Sequence, residues 1–337
     1  MTRSRVAVPN GTLAVTRRTN ERKLFWTPAR PEVHQGYLYA LAMAQEKQGL
    51  LVHHGVLMSD HAHVSLTPTE ATDIGAAFRM LHRESARFLQ EDLLARGYDA
   101  PRQIWDGRST HAMHLVDAGA QIESILYQHL NVVTAGLVAR ADDWPGWLSP
   151  LSLLRGGTVV VDKPPVYFGK RQPAQRELVF SPPPELARLY GAELEGLRYW
   201  LDKAVRATER ALARERTGDV IGPERLRRIH PFAEPATVRE RRGQPIPRFK
   251  VGRGWRDLRD TLREEDARFL GEAADARERW IGGEHDAQFP YGTLQMVAEY
   301  GADMADPHED AILCAADRAH LYDVAPYSVR DAVQIAS

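Results

Sequence analysis

The fold is decided by one stretch of the chain, Val56-Leu57-Met58-Ser59-Asp60-His61-Ala62-His63-Val64-Ser65-Leu66. Its two apolar flanks, on either side of a short polar turn, predict two β-strands at 50–56 and 61–66. Side chains at positions i and i+2 of a strand point to the same face of the sheet. His61 and His63 therefore share a face, and two imidazoles on one face can bind one metal ion.

A second pair of polar residues follows some sixty positions later. Tyr127 and Asn131 are spaced i, i+4 within a predicted helix, so their side chains lie one above the other on the same helix face. Taken alone, a His-x-His pair is more often satisfied by hydrogen bonds than by metal, and a helix tyrosine more often packs than reacts. Together the two pairs suggest a metal-assisted tyrosine nucleophile.

The surrounding periodicity predicts an α+β fold. Strands and helices alternate in a β-α-β-β-α order, which is typical of an antiparallel sheet covered on one side by helices. The predicted elements are a strand or hairpin within 13–26, a helix from Pro31 to Gly49, a helix capped by Thr72 or Asp73 and ending near Gly97, a strand over 104–116, and a helix capped by Asp117.

The length of 337 residues favours two domains over one. Prolines and glycines punctuate the chain between Pro145 and Pro165, and we place the boundary near residue 168. Residues 1–168 form the predicted catalytic domain. Residues 169–337 form a mostly helical C-terminal extension, with helices predicted over 184–216 and 255–280 and a loop over 239–256.

Charge is distributed unevenly along the C-terminal extension. Residues 221–259 carry 11 basic and 4 acidic side chains, whereas residues 260–310 carry 4 basic and 14 acidic ones, although the whole chain has a formal net charge of −1. The basic segment 221–259 is a candidate DNA contact, and the alternative is a loop that forms salt bridges with the acidic stretch after it. Candidate DNA-binding residues there are Arg239, Arg241, Arg242, Arg248 and Lys250.

Three further arginines form a stripe on a predicted helix. Arg79, Arg83 and Arg87 follow an i, i+4 spacing, so they project from one face. Such a stripe is either a solvated surface or, beside a nucleic-acid site, a track for phosphates.

Composition excludes several classes of protein. Hydrophobic residues make up 43% and charged residues 26% of the chain, as in ordinary globular proteins. No apolar run approaches the roughly 18 residues of a membrane span, so we expect a cytoplasmic protein without a membrane partner. One cysteine, Cys314, excludes an internal disulfide and a cysteine-cluster zinc site.

Three segments together carry a family resemblance. They are Met58 to Val64, the helix and its exit from Tyr127 to Val138, and Asp142-Asp143-Trp144-Pro145-Gly146-Trp147. Over residues 13 to about 150 the chain resembles the single-tyrosine HUH transposases of the insertion-sequence 200/605 kind, and most closely the REP-associated tyrosine transposases. Their pattern is Met-Pro-Asn-His-hydrophobic-His on a strand and Tyr-Ile-x-x-Asn-Pro-Val-x-x-Gly-Leu-Val on a helix and its exit.

The resemblance implies a role for each matching residue. His61 and His63 match the metal-binding histidines, Tyr127 the nucleophile and Asn131 the amide that completes the metal shell. Trp105 and His129 occupy supporting positions. The chain departs from the pattern where Val132 replaces proline and where Ser59-Asp60 replaces Pro-Asn.

The resemblance also implies a fold and a function. The fold is a ferredoxin-like or RRM-like sheet, the HUH endonuclease fold. The function is a metal-dependent endonuclease and strand transferase that cuts single-stranded DNA near hairpins through a 5′-phosphotyrosine intermediate. The metal is Mg²⁺ or Mn²⁺, and the relatives include both monomers and homodimers. For a DNA-cutting protein of this kind we expect a cytoplasmic location, in association with the nucleoid. Two alternatives are a domesticated protein that binds DNA hairpins without cutting and a metal-dependent hydrolase unrelated to DNA.

Overall fold

The computed structural model describes residues 10–69, 72–107, 110–235, 247–253, 255–293, 296–297, 300–308 and 311. Its strands are β1 (Leu13–Arg18), β2 (Leu51–Leu57), β3 (His61–Thr67), β4 (His111–Leu115), β5 (Gly157–Asp162), β6 (Gln175–Phe180) and β7 (Phe249–Lys250). Its α-helices are α1 (Pro31–Gln48), α2 (Ile74–Ala95), α3 (Ala118–Thr134), α4 (Pro184–Tyr190), α5 (Leu194–Glu215), α6 (Pro223–Arg227) and α7 (Arg256–Ile281).

One sheet organises the described part of the chain, with the strand order β5-β6-β2-β3-β1-β4-β7. The four central strands, β2, β3, β1 and β4, pair antiparallel. β6 and β7 extend the sheet at its two sides through parallel pairing with β2 and β4. The α+β prediction is confirmed, and so are the two strands that flank the polar turn.

Helices cover both faces of this sheet. On one face, α1 and α2 pack against alternate residues of the central strands, including Val15, Val64 and Leu66. On the other face, α3 packs with Val56 and with Leu201 of α5 in a second apolar cluster. The expectation that helices cover one side only is therefore wrong, because the apolar surface of α3 has its own partner in α5.

Three element boundaries differ from the sequence predictions. The strand predicted over 104–116 is limited to β4, and Trp105 instead forms an isolated bridge with Thr19. The helix predicted over 184–216 is interrupted at Gly191, whose φ of 44° is left-handed, so that α4 and α5 are separate helices. Within the loop predicted over 239–256, residues 249–250 form β7.

Two other predicted helices, those over 31–49 and 255–280, are confirmed. α1 begins at Pro31 and ends before Gly49, and α7 covers the helix predicted over 255–280. The division of the chain at residue 168 stays a prediction, and the antiparallel pair β5–β6 lies across that position. None of the described helices has the length and apolar character needed to cross a membrane.

Gly36 of α1 lies where α1 and α2 approach closely. A Cβ built there would lie 2.0 Å from Cε1 of the buried Phe88 in α2. We expect Gly36→Ala to lower the free energy of unfolding by about 1–3 kcal/mol, because the clash outweighs the higher helix propensity of alanine. Urea unfolding followed by circular dichroism measures this change.

Gly271 of α7 provides the matched control, since a Cβ there meets nothing within 4 Å. Gly271→Ala should leave the free energy of unfolding unchanged or raise it by up to about 1 kcal/mol. Equal stability of the Gly36 and Gly271 variants would contradict the close packing of α1 on α2.

Two buried histidines should make the fold sensitive to mild acid. His34 bonds the Trp26 carbonyl and the Trp147 N–H, and His53 bonds the Ser181 carbonyl. Burial lowers the pKa of each ring from 6.5 to about 4. Between these values the unfolded chain binds protons that the folded chain does not, so stability falls as the pH falls.

We expect each ring to reduce the free energy of unfolding by about 2 kcal/mol between about pH 7.5 and about pH 5. Urea unfolding at a series of pH values measures the slope. His53→Gln should flatten that slope. A free energy of unfolding that does not change over this range would show that the two rings are not neutral in the folded protein.

Candidate functional site

The two histidines of the polar turn lie at the start of β3, on the sheet face that α3 covers. In the β1–β3 register, His61 pairs with Arg18 and His63 pairs with Thr16. The two imidazoles meet edge to face, with ring centroids 4.7 Å apart. The prediction that they share a face is confirmed, because the i, i+2 spacing of an uninterrupted strand places them side by side.

A carboxylate holds His61. Oδ1 of Asp60 lies 2.6 Å from Nδ1 of His61, and Oδ2 of Asp60 lies 2.6 Å from the guanidinium of Arg22. Burial raises the pKa of Asp60, but the opposing effects of His61 and Arg22 outweigh it and hold that pKa below its ordinary value. Asp60 is therefore ionised at neutral pH.

His63, like His61, has a polar neighbour at its Nδ1 atom. Its Nδ1 lies 2.8 Å from the hydroxyl of Thr16, while Nε2 is buried and has no hydrogen-bond partner among the described residues. Burial lowers the pKa of His63 well below 6.5, and the neighbouring His61 lowers it further, whereas Asp60 opposes the change. A neutral imidazole with an unpartnered nitrogen is in the form that binds metal.

α3 brings Tyr127 to these histidines. The helix is capped by Asp117, which accepts a hydrogen bond from the Ala120 N–H, and Gln128 ties it to β3 by donating to Ser65 Oγ over 2.7 Å. The Tyr127 ring lies edge to face with His63, with 5.5 Å between centroids. Tyr127 is 50% exposed, unlike the buried residues around it on α3.

Asn131 lies one helical turn beyond Tyr127. It is buried, and its Nδ2 has no hydrogen-bond partner among the described residues. An amide can rotate to present its oxygen in place of its nitrogen, so this side chain is able to supply a metal ligand. The structure gives Asn131 the i, i+4 relation to Tyr127 that the sequence predicts.

His129 faces a different neighbour. Its ring lies 5.5 Å from that of His54 in β2, in the interior of the domain. Burial lowers the pKa of His129 to about 4. Trp105 is also an interior residue, since it stacks on Trp26 and donates its indole N–H to Ser85. Both residues pack within the domain and do not contact Tyr127.

The arginine stripe of α2 lies away from Tyr127. Arg79, Arg83 and Arg87 are exposed on α2, which covers the sheet face opposite to α3. Arg83 bonds Glu84, which also accepts a hydrogen bond from the hydroxyl of Tyr167. The stripe is therefore not part of the surface around Tyr127.

The basic segment is divided between described and undescribed residues. Arg239, Arg241 and Arg242 lie outside the described residues. Arg248 pairs with Asp266 of α7 at 3.0 Å, and Lys250 pairs with Glu123 of α3 at 3.0 Å. Arg248 therefore bonds the acidic stretch, as the alternative expects, whereas the carboxylate that Lys250 bonds belongs to α3 and lies outside that stretch. The DNA contact of this segment stays a prediction.

Sequence reasoning missed three residues of the site: Thr16, Arg22 and Asp60. An acidic residue directly before a His-x-His pair is a visible signal for Asp60. Thr16 and Arg22 carry no such signal, because the contact of Thr16 depends on the register of β1 against β3 and that of Arg22 on the turn after β1.

Few side chains at this site are able to bind a metal ion. The described residues contain no group of three or more His, Cys, Asp and Glu side chains arranged to hold a metal ion. The candidate ligands are two imidazoles and one amide, so substrate oxygens or water would have to complete the coordination.

Comparisons with known proteins found likeness among solved structures. No protein-family model and no curated protein matches the chain. A solved structure of a REP-associated tyrosine transposase bound to a REP hairpin aligns with 42% of this chain and 78% of its own, at 19% identity and a TM-score of 0.34. A TM-score at this level carries no argument about fold or function, so the function of this chain has to be inferred from the residues of the site.

Proposed function

We propose that this protein is a metal-dependent endonuclease and strand transferase for single-stranded DNA, with Tyr127 as its nucleophile. The observation that carries the proposal is the juxtaposition at the α3 face of the sheet. The half-exposed side chain of Tyr127 lies edge to face with His63, and His63 in turn contacts His61. Nε2 of His63 has no hydrogen-bond partner within the part of the chain that the structure describes.

The residues fit a divalent ion. His61 and His63 are each held through Nδ1, by a carboxylate and by a hydroxyl, which leaves Nε2 of each ring as the remaining ligand atom. With Asn131 they would hold Mg²⁺ or Mn²⁺, which supplies Lewis-acid polarisation of a phosphate when bound. The orphaned Nε2 of His63 supports this assignment most directly.

Tyr127 performs a transesterification in this proposal. Its Oη forms a bond to the phosphorus as the bond from phosphorus to the 3′ oxygen breaks. The phenol proton passes to solvent, and the departing 3′ oxygen takes up a proton to become a hydroxyl. The ester keeps the phosphate on the protein, so a new 3′ hydroxyl can reverse the step, which makes the reaction strand transfer.

The topology supports the ferredoxin-like part of the proposal. The element order β-α-β-β-α-β, with the central strand order β2-β3-β1-β4, is that of a ferredoxin-like sheet. α3 follows this unit and carries the tyrosine. We propose residues 1–168 as the catalytic unit, with hairpin-bearing single-stranded DNA as the partner of a monomer or a homodimer.

The test is a search for a covalent adduct. The protein is incubated with labelled single-stranded oligonucleotides that carry imperfect hairpins, in Mn²⁺, Mg²⁺ or EDTA, and resolved on denaturing gels. A metal-dependent protein–DNA band is the expected result. Tight binding without a band would indicate a hairpin-binding protein, and absence of both would overturn the proposal.

A further inference from the structure

Asp60 connects two side chains at the edge of the candidate site. One carboxylate oxygen lies against His61 Nδ1 and the other against Arg22, each at 2.6 Å. Asp60 itself is buried. Both oxygens of a buried carboxylate are therefore occupied by specific donors, which fixes the position of Asp60 relative to His61.

The backbone that presents Arg22 is strained. Glu21 and Arg22 have φ values of 52° and 59°, in the left-handed region that non-glycine residues seldom occupy. The turn is held by Thr19, whose hydroxyl lies 2.9 Å from the Asp60 carbonyl and 2.7 Å from the Lys23 carbonyl. Strain that the surroundings maintain at a site is often connected with its function, and here it places a cation on Asp60.

The contact to Asp60 determines which nitrogen of His61 carries the proton. Arg22 lies against one oxygen of Asp60 and His61 Nδ1 against the other, so the carboxylate accepts at both oxygens and Nδ1 of His61 is the donor. In the neutral ring this leaves the lone pair on Nε2. A carboxylate that bonds a ligating histidine in this way orients the ring and raises its basicity as a ligand.

We infer that Asp60 is a positioning residue of the site, which holds His61 in the tautomer that binds metal through Nε2. The inference rests on the proposed function. It also explains one departure of this chain from the pattern that it resembles: the pattern has asparagine at the position of Asp60. An asparagine amide can either donate or accept, so it does not fix the tautomer of His61.

The experiment measures Mn²⁺ binding by the full-length protein without DNA, from the electron paramagnetic resonance signal of free Mn²⁺. Asp60→Asn should weaken binding by about tenfold or more, and His61→Ala by more than that. Asp99→Asn, which changes an exposed carboxylate, is the matched control and should bind as the wild type does.

A second measurement needs no metal. In ¹⁵N imidazole spectra of the metal-free protein, the His61 signals are assigned by their loss in His61→Ala. At a pH high enough for the ring to be neutral, the wild type should show Nδ1–H alone, and Asp60→Asn a mixture of tautomers. If Asp60→Asn binds Mn²⁺ as the wild type does while His61→Ala does not bind it, the inference about Asp60 is wrong and the proposed metal site stands. If the wild-type protein does not bind Mn²⁺, both the inference about Asp60 and the proposed metal site are wrong.

Discussion

Replacing Tyr127 by phenylalanine is expected to abolish the covalent protein–DNA adduct, with a loss of at least about a thousandfold. Phenylalanine keeps the ring that meets His63 edge to face and removes only the hydroxyl oxygen. Tyr127 is half exposed, so the change should not disturb the fold. Adduct yield on denaturing gels and hairpin affinity by fluorescence anisotropy are measured on the same preparation.

Tyr199→Phe is the matched control, because Tyr199 is a similarly exposed tyrosine on α5. It should leave the yield of adduct unchanged. Hairpin affinity should persist in both variants, since neither removes a charge. An adduct that survives in Tyr127→Phe would assign the nucleophile to another residue.

The second large effect is expected at the histidines. His61→Ala and His63→Ala should each lower the adduct yield by about a hundredfold or more at saturating DNA, because each removes one of two imidazoles from the proposed metal. Excess Mn²⁺ should partly restore the yield if the defect is one of affinity. Hairpin binding should change by only a few fold.

His308→Ala serves as the control, since His308 is exposed and pairs with Glu272. Circular dichroism should show that the variants remain folded, which matters most for the buried His63. An unchanged metal dependence in both His61→Ala and His63→Ala would mean that the ion acts elsewhere.

The parts of the site that follow from local periodicity were predictable from the sequence. The shared face of His61 and His63 depends only on the alternation of a strand, and the relation of Tyr127 to Asn131 only on the helical repeat. Thr16 and Arg22 were not predictable, because Thr16 reaches the site through the pairing of β1 with β3 and Arg22 through the turn that follows β1. Register between strands is a property of the packed sheet.

The packing of the helices and the partners of the charged residues could not be read from the sequence for a similar physical reason. Periodicity shows that α3 has an apolar face, but not that α5 lies against it on the far side of the sheet. A run of basic residues shows positive charge, but not which acids it contacts. Arg248 bonds Asp266 in the stretch that follows it, whereas Lys250 bonds Glu123 of α3, which is distant from it in the sequence.

The most direct measurement is to identify the amino acid that carries the DNA. The adduct formed with a hairpin oligonucleotide in Mn²⁺ is digested with protease and nuclease, and the modified peptide is sequenced by mass spectrometry. We predict a 5′-nucleotide joined through phosphate to Tyr127. A phosphate on any other residue, or no modified peptide under conditions that support hairpin binding, would contradict the proposed nuclease.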